Sequence, residues 1–248
     1  MVETFRSEGQ TGGQSSLTKI NMVLRVYYDL MSQPCRAIVM FLKLNHIPYE
    51  DKIVALRKGE HFEEPFTKLN PFQRVPVIDD DGFVLTESVS ILKYLCRKYK
   101  LADHWYPQEL KKQARCDEYL NWQHWNTRMN AAMVFRTIAI DTRMTGKPVD
   151  TEKLKMHRHQ LETTLDFLEN VYLKRGRFLT GDEISIADIL GVCELMQPYI
   201  IGQDVRDNRP RLKQWMNGTI ERLQPHFDDT HKVIMKAREK YLKSQAKL

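Results

Sequence analysis

Hydrophobic and polar positions follow two rhythms along the chain, a short-period one up to Lys100 and a helical one after it. Leu24-Arg25-Val26-Tyr27-Tyr28 is a β-branched and aromatic run of strand character, and Asp29 to Ser32 follows as a turn. Pro34 suits the first turn of a helix, where its missing N–H costs nothing. Ile38, Phe41 and Leu42 then carry helical spacing to about Asn45. Pro48 interrupts it, and Tyr49 to Ala55, with Tyr49, Ile53 and Val54 among charges, predicts a second strand. A strand–helix–strand unit favours parallel pairing. Val75-Pro76-Val77-Ile78 and Phe83-Val84-Leu85-Thr86 flank Asp79-Asp80-Asp81-Gly82, which is a hairpin signal. Glu87 and Ser88 open a helix with Leu92, Leu95 and Tyr99 on its apolar face. The prediction is β-α-β-(α)-β-β-α with a four-stranded mixed sheet.

Strand signals stop there. Leu101 to Pro107 reads as a linker, and Gln108 to about Ile140 as one long helical stretch. Asp150 to Lys174 is a second, with Leu154, Leu161, Leu165 and Leu168 on one stripe. Ser185-Ile186-Ala187-Asp188 has the spacing of a capping box, and Ile184 and Ile189 fall where a hydrophobic staple would sit. Pro210 to Leu223 and Phe227 to Leu242 complete an all-α second part. The expected division is a flexible extension over 1–21, an α/β domain over 22–100, a linker over 101–107 and an all-helical domain over 108–248.

Composition narrows the class. At 248 residues, 42% hydrophobic and 28% charged, the chain is long enough for a substantial core and unlike a disordered one. No apolar run approaches the roughly 18 residues a membrane helix needs. The Gly/Ser/Thr/Gln-rich start carries no apolar stretch of secretory type. Cys35, Cys96, Cys116 and Cys193 are scattered with no C-x-x-C pair, which points away from zinc and disulfides and toward a reducing cytosol. The net charge of +6 is uneven: Arg209 to Leu248 holds ten Lys/Arg against four acids, the whole of the excess. A basic end invites a nucleic-acid reading. Trp215, Leu223, Phe227, Ile234 and Tyr241, however, are spaced for burial rather than interleaved with the basic residues on one face.

Local motifs carry the function. Tyr28 to Ala37 (Tyr-Asp-Leu-Met-Ser-Gln-Pro-Cys-Arg-Ala) is followed by Arg74-Val75-Pro76 and Thr86-Glu87-Ser88-Val89. Asp117-Glu118-Tyr119-Leu120 with Trp122-Gln123-His124 completes the series. Together they closely resemble the cytosolic glutathione S-transferases over roughly residues 22–243. The first and last segments look like the theta class, and the short C-terminus like its insect members. The resemblance implies a thioredoxin-like N-terminal domain, an α-helical C-terminal domain and a homodimer with active sites beside the interface. It also implies reduced glutathione as co-substrate, no metal, no nucleic acid or membrane partner, and a cytoplasmic place. The chemistry implied is conjugation of glutathione to alkyl or aralkyl halides and epoxides, with hydroperoxide reduction or dehydrochlorination as side reactions. Ala246-Lys247-Leu248 resembles a peroxisomal address, which is the alternative location.

The site follows residue by residue. Ser32 stands before the first helix, where free N–H groups favour an anion, and its hydroxyl can donate to a thiolate. One charge-assisted hydrogen bond can supply the ~1.4 kcal/mol that each pKa unit of a thiol demands. Tyr27 competes for this role by its strand-end position. In Ser32-Gln33-Pro34-Cys35 a serine occupies the attacking position of a redox loop, and serine forms no mixed disulfide; Cys35 then reads as a small buried residue. By resemblance Pro76 is a cis-proline that offers the Val75 backbone to a peptide ligand. Ser88 takes the γ-glutamyl carboxylate and Glu87 the amino group. His61 and Arg74 reach the glycyl carboxylate, and Arg128 points at the sulfur. Taken alone, Glu87 and Ser88 read first as a dipole partner and a cap, a reading that gives way beside Val75-Pro76, and Arg74 and Arg128 read equally as solvated side chains. Ser185 and Asp188 are structural. Met129, Met133, Phe135 and Met144 are candidates for a second-substrate pocket or for core. His157 and His159 sit on different faces of a helix and make a poor metal pair.

Overall fold

The computed structural model describes residues 23–246, so the extension over 1–21 and the last two residues of the C-terminal tripeptide lie outside it. Strands β1 (Leu24–Tyr28), β2 (Tyr49–Ile53), β3 (Val77–Asp80) and β4 (Phe83–Leu85) form one sheet in the order β2-β1-β3-β4. β1 pairs parallel with β2 and antiparallel with β3, and β3 antiparallel with β4, which is the mixed sheet the sequence predicts. α1 (Gln33–Leu44) crosses between β1 and β2; α2 (Phe66–Leu69) and α3 (Ser88–Lys98) complete the first part.

The hairpin departs from its prediction in register. Pro76 follows a cis peptide and has no N–H to give a ladder, so β3 begins at Val77 and runs on through Asp79 and Asp80. Both aspartates are buried and paired: Asp79 accepts from Arg25 at 2.9 Å and from the Gly82 N–H at 2.7 Å, and Asp80 accepts from Tyr94 and Lys98. The turn shrinks to Asp81-Gly82, both at positive φ (55° and 88°), the two-residue type that glycine favours.

The second part is helical. α4 (Leu110–Trp122), α5 (Met129–Phe135) and α6 (Asp141–Thr145) form a continuous run, as the long stretch predicts, but wide i→i+5 turns at His124–Arg128 and Arg136–Ile140 join them. α7 (Thr151–Phe167) widens likewise over Leu168–Tyr172. α8 (Ile186–Leu195), α9 (Pro210–Arg222) and α10 (His226–Gln245) follow.

α1 and α8 lie at the centre. Cys35 to Leu42 are buried without a break, as is every residue of α8. α1 packs on α8 and α10, so one core runs through both parts. Gly191 lets α8 lie close against α4 and Leu179: a Cβ there would meet the Tyr119 hydroxyl at 2.8 Å and Leu179 at 2.9 Å. The capping box forms as spaced, with Asp188 accepting from Ser185 N (2.8 Å) and Oγ (2.9 Å). Asp188 also accepts from Leu179 N (2.9 Å) and Trp215 Nε1 (2.8 Å). Trp215, Leu223, Phe227 and Ile234 are buried and Tyr241 is half-buried, so the aromatics of the basic end do not form an exposed platform.

Candidate functional site

Three segments and the start of α1 converge on one cavity of about 630 Å³. The loop after α2 supplies Asn70, Phe72, Arg74 and Val75-Pro76, and the β4–α3 corner supplies Thr86, Glu87 and Ser88. The α4–α5 run supplies Asn121, His124, Trp125, Arg128 and Met129, and α1 supplies Pro34. A volume of this size takes a peptide-sized ligand.

Each side chain is placed by a local device. Asn70 Nδ2 donates to the Arg74 carbonyl at 2.7 Å and Asn70 Oδ1 accepts from Phe72 N at 3.0 Å, which holds the loop before Pro76. The Val75–Pro76 peptide is cis, as the resemblance implies. Glu87 sits at φ 65°, ψ 110°, a conformation L-residues avoid, immediately before α3. It thereby turns the chain sharply and leaves Ser88 as the first helical residue. Ser88 is buried, and its Oγ accepts from Arg128 Nη2 at 3.0 Å. The wide turn at His124–Arg128 rotates these residues off the regular helical course, so that His124, Trp125 and Arg128 all reach the cavity. Arg128 is fixed by Glu194 Oε1, which accepts from its Nε at 2.9 Å, and His124 Nδ1 lies 3.4 Å from its Nη1. Burial, then the Arg128 charge, hold His124 below the ordinary imidazole range, against the pull of Glu87.

Arg74, Val75, Pro76, Glu87, Ser88 and Arg128 therefore meet in one place. Ser32 and His61 are not in the lining of that cavity. Ser32 is half-buried as the N-cap of α1 (φ −82°, ψ 128°), its hydroxyl making no cap to the helix. Its N–H donates to the Asp29 carbonyl at 2.9 Å. His61 lies in a short helical turn with its ring 3.8 Å from that of Phe62. Tyr27 packs its ring against Phe66, away from the cavity. Of the candidate apolar residues, Met129 lines the cavity, Met133 and Phe135 are half-buried, and Met144 is 75% exposed. His157 is buried on Thr137 while His159 is exposed. Among the described residues no cluster of His, Cys, Asp or Glu is arranged to hold a metal ion.

The sequence reading missed three residues that organise the site. Asp29 accepts from Met31 N at 2.8 Å and from Leu56 N at 3.0 Å, shaping the loop before Ser32; its Asx-turn position was the available signal. Arg36, fully buried, donates to the Leu30 and Met31 carbonyls (2.9 and 3.2 Å) and to Cys193 O and Gln197 Oε1 (3.1 and 3.2 Å). Glu194, fully buried, was legible only as a lone acid late in an apolar helix. Cys35 behaves as expected: burial pushes its thiol up to about 12, against hydrogen bonds from Ser32 and the Asp29 backbone.

Residues 22–97 match the glutathione S-transferase N-terminal domain and 124–222 the C-terminal domain. A sheet domain with this cis-proline corner, facing a helical domain across one cavity, is the arrangement of that enzyme class, and the chain belongs to the glutathione S-transferase family. It is 44% identical to glutathione S-transferase theta-1 of Bos taurus over 88% of this chain and 91% of the relative. Human glutathione S-transferase T1-1 in its apo form superposes with a TM-score of 0.84 at 42% identity, covering 87% of this chain and 91% of that one. Human theta-2, solved in complex with glutathione and an unknown ligand, gives 0.84 at 34% identity over 89% and 91%. Within the family the chain is a theta-class glutathione transferase.

Proposed function

We propose that the protein binds reduced glutathione in the cavity between Val75-Pro76, Glu87-Ser88 and Arg128, and transfers it to small electrophiles. The carrying observation is the convergence of the cis Val75–Pro76 segment, an acid, a buried hydroxyl and a guanidinium on one cavity. Glutathione needs both signs, having two carboxylates and one amine. Val75 pairs with its backbone as an added strand would. Ser88 takes the γ-glutamyl carboxylate and Glu87 the amino group. Arg74 makes no ion pair among the described residues and is free for the glycyl carboxylate. His61 assists from the neighbouring turn.

Ser32 donates its hydroxyl to the glutathione sulfur and favours thiolate over thiol. The thiolate bonds to carbon while halide or sulfate leaves with its electron pair, or an epoxide oxygen opens and takes a proton. With a hydroperoxide, sulfur attacks oxygen, alcohol departs, and a second glutathione yields disulfide and water. Arg128, expected at the sulfur, donates instead to Ser88 Oγ at 3.0 Å, and in this reading its positive charge serves the γ-glutamyl carboxylate beside Ser88. In this reading residues 22–100 are the glutathione-binding unit, and 108–248 shape the second-substrate pocket. The active form is a homodimer in the cytoplasm. One human theta-class structure holds the glutathione conjugate of 1-menaphthyl sulfate, which makes aralkyl sulfates a test substrate here.

The test is conjugation with an aralkyl sulfate, alkyl halides, an epoxide and cumene hydroperoxide. Ser32→Ala should lower kcat by about 10- to 100-fold, the loss of one hydrogen bond to a charged group. Unchanged turnover in that variant rejects Ser32. No turnover of the wild type on any of these rejects the substrate class.

A further inference from the structure

We propose that Glu194 is a positioning residue that sets where Arg128 acts: it draws the guanidinium back from solvent and aims it at Ser88. The inference rests on the glutathione reading of this cavity. Glu194 lies on α8, whose residues are buried throughout, and no part of its side chain reaches solvent. A carboxylate removed from water needs a partner, and Oε1 finds it in Arg128 Nε at 2.9 Å. Oε2 is buried and unpaired. Burial drives the carboxyl upward in pKa, while Arg128 and then Arg36 pull it back toward the ionised form.

The geometry of the pair assigns the role. An arginine fork donates in fixed directions. With Nε committed to Glu194, Nη1 lies beside His124 and Nη2 reaches Ser88 Oγ at 3.0 Å. Ser88 is the residue assigned to the γ-glutamyl carboxylate. Arg128 is thus presented to that carboxylate, beside the hydroxyl that binds it. Nothing on Arg128's own segment could do this. His124, four residues before it, lies 3.4 Å from Nη1 and carries no negative charge. The partner comes instead from a helix 66 residues further along the chain. The same stretch of α8 accepts from Arg36 at Cys193 and, just beyond the helix, at Gln197, and Arg36 ties down the loop ahead of Ser32. One buried strut therefore braces both the Ser88 end and the Ser32 end of the site.

The experiment is a double-substitution cycle on the full chain, read as the KM for glutathione and as its Kd by calorimetry. Glu194→Gln should raise both by about tenfold in the wild-type background and by less than about twofold in an Arg128→Ala background. A residue acting only on folding would impose the same penalty in both backgrounds, and equal penalties overturn the proposal. Arg128→Lys tests it without touching the buried acid, because it keeps the charge and discards Nε. This variant should lose glutathione affinity nearly as far as Arg128→Ala. Wild-type affinity in Arg128→Lys also overturns the proposal. If the wild type binds glutathione, these failures reject only the positioning role; if it does not, the functional reading falls with it.

Discussion

Ser88 serves two partners in the proposed site. It is buried, it begins α3, and its Oγ already accepts from Arg128. Replacing it with alanine removes a hydrogen bond to a charged ligand and leaves a guanidinium nitrogen without its acceptor. Ser88→Ala should raise the glutathione KM by about tenfold or more, since such bonds contribute about 1.5–3 kcal/mol, while kcat falls less. An unchanged KM removes Ser88 from the binding site. The four thiols allow a second test at this scale. All are buried, and burial pushes Cys35, Cys96, Cys116 and Cys193 each up to about 12. At about pH 8 a thiol-titrating reagent should find none of the four in the native protein and all four in denaturant. A fast-reacting native thiol would contradict that burial. At this scale the sequence reads types well and partners poorly. Ser88 was legible as a cap or ligand from its place after a strand; its bond to Arg128, forty residues away, was not.

The elements were legible wherever the signal was local. The capping box of α8 is a four-residue pattern, and it forms as spaced. Its tertiary consequence is larger than its local one, because Asp188 also accepts from Leu179 N and Trp215 Nε1. Asp188→Ala would strand several buried donors, so it should cost about 3 kcal/mol or more by denaturant unfolding, beyond the ~1 kcal/mol of a lost cap. The kcat/KM of the folded protein should stay within about twofold, because the residue acts on folding and not on chemistry. A large kcat/KM loss with wild-type stability would reverse that assignment. The wide turns in the α4–α6 run were not legible. Each inserts one residue into a helical ladder, which a periodicity count over a long window averages away. The first of them brings His124, Trp125 and Arg128 into the cavity.

Across the whole molecule, buried histidines give a pH dependence with a definite sign. His231 is buried on α10, its Nδ1 bonded to the Phe227 carbonyl at 2.8 Å and its Nε2 unpaired. Burial, then the charge of Arg36, hold it well below the ordinary 6.5, against the Phe227 carbonyl. His124 and His157 are shifted the same way, each chiefly by burial. These groups take up protons in the unfolded chain near 6.5 while the folded chain refuses them until lower pH. The stability they give is present above that value and is lost as pH falls below it. Melting temperature should drop between about pH 7.5 and pH 5.5, and His231→Gln should flatten the slope. An identical slope in the variant would show that His231 does not titrate on unfolding.

Charge patterning yields less at this scale. The basic C-terminal end carries pairs such as Lys232–Asp229 and Lys243–Glu239 on exposed helix, while Trp215, Leu223, Phe227 and Ile234 face the core and Met235 and Leu242 stay exposed. No helix among the described residues is long and apolar enough to cross a membrane.

By itself the sequence determined the strand–helix order, the mixed sheet, the cap of α8 and the motifs that carry the family. Each rests on contacts between near neighbours or on backbone-restricting residues such as Pro76 and Gly82. Only the tertiary structure decided that α1 and α8 are buried on every face. Only it could show that Arg36 donates to Cys193 and Gln197, and that Arg128 donates to both Glu194 and Ser88. An arginine or glutamate in a helix looks solvated until the opposing surface is known. Burial of a charge is tolerated when its partner arrives from a distant segment, and no periodicity along the chain encodes that arrival.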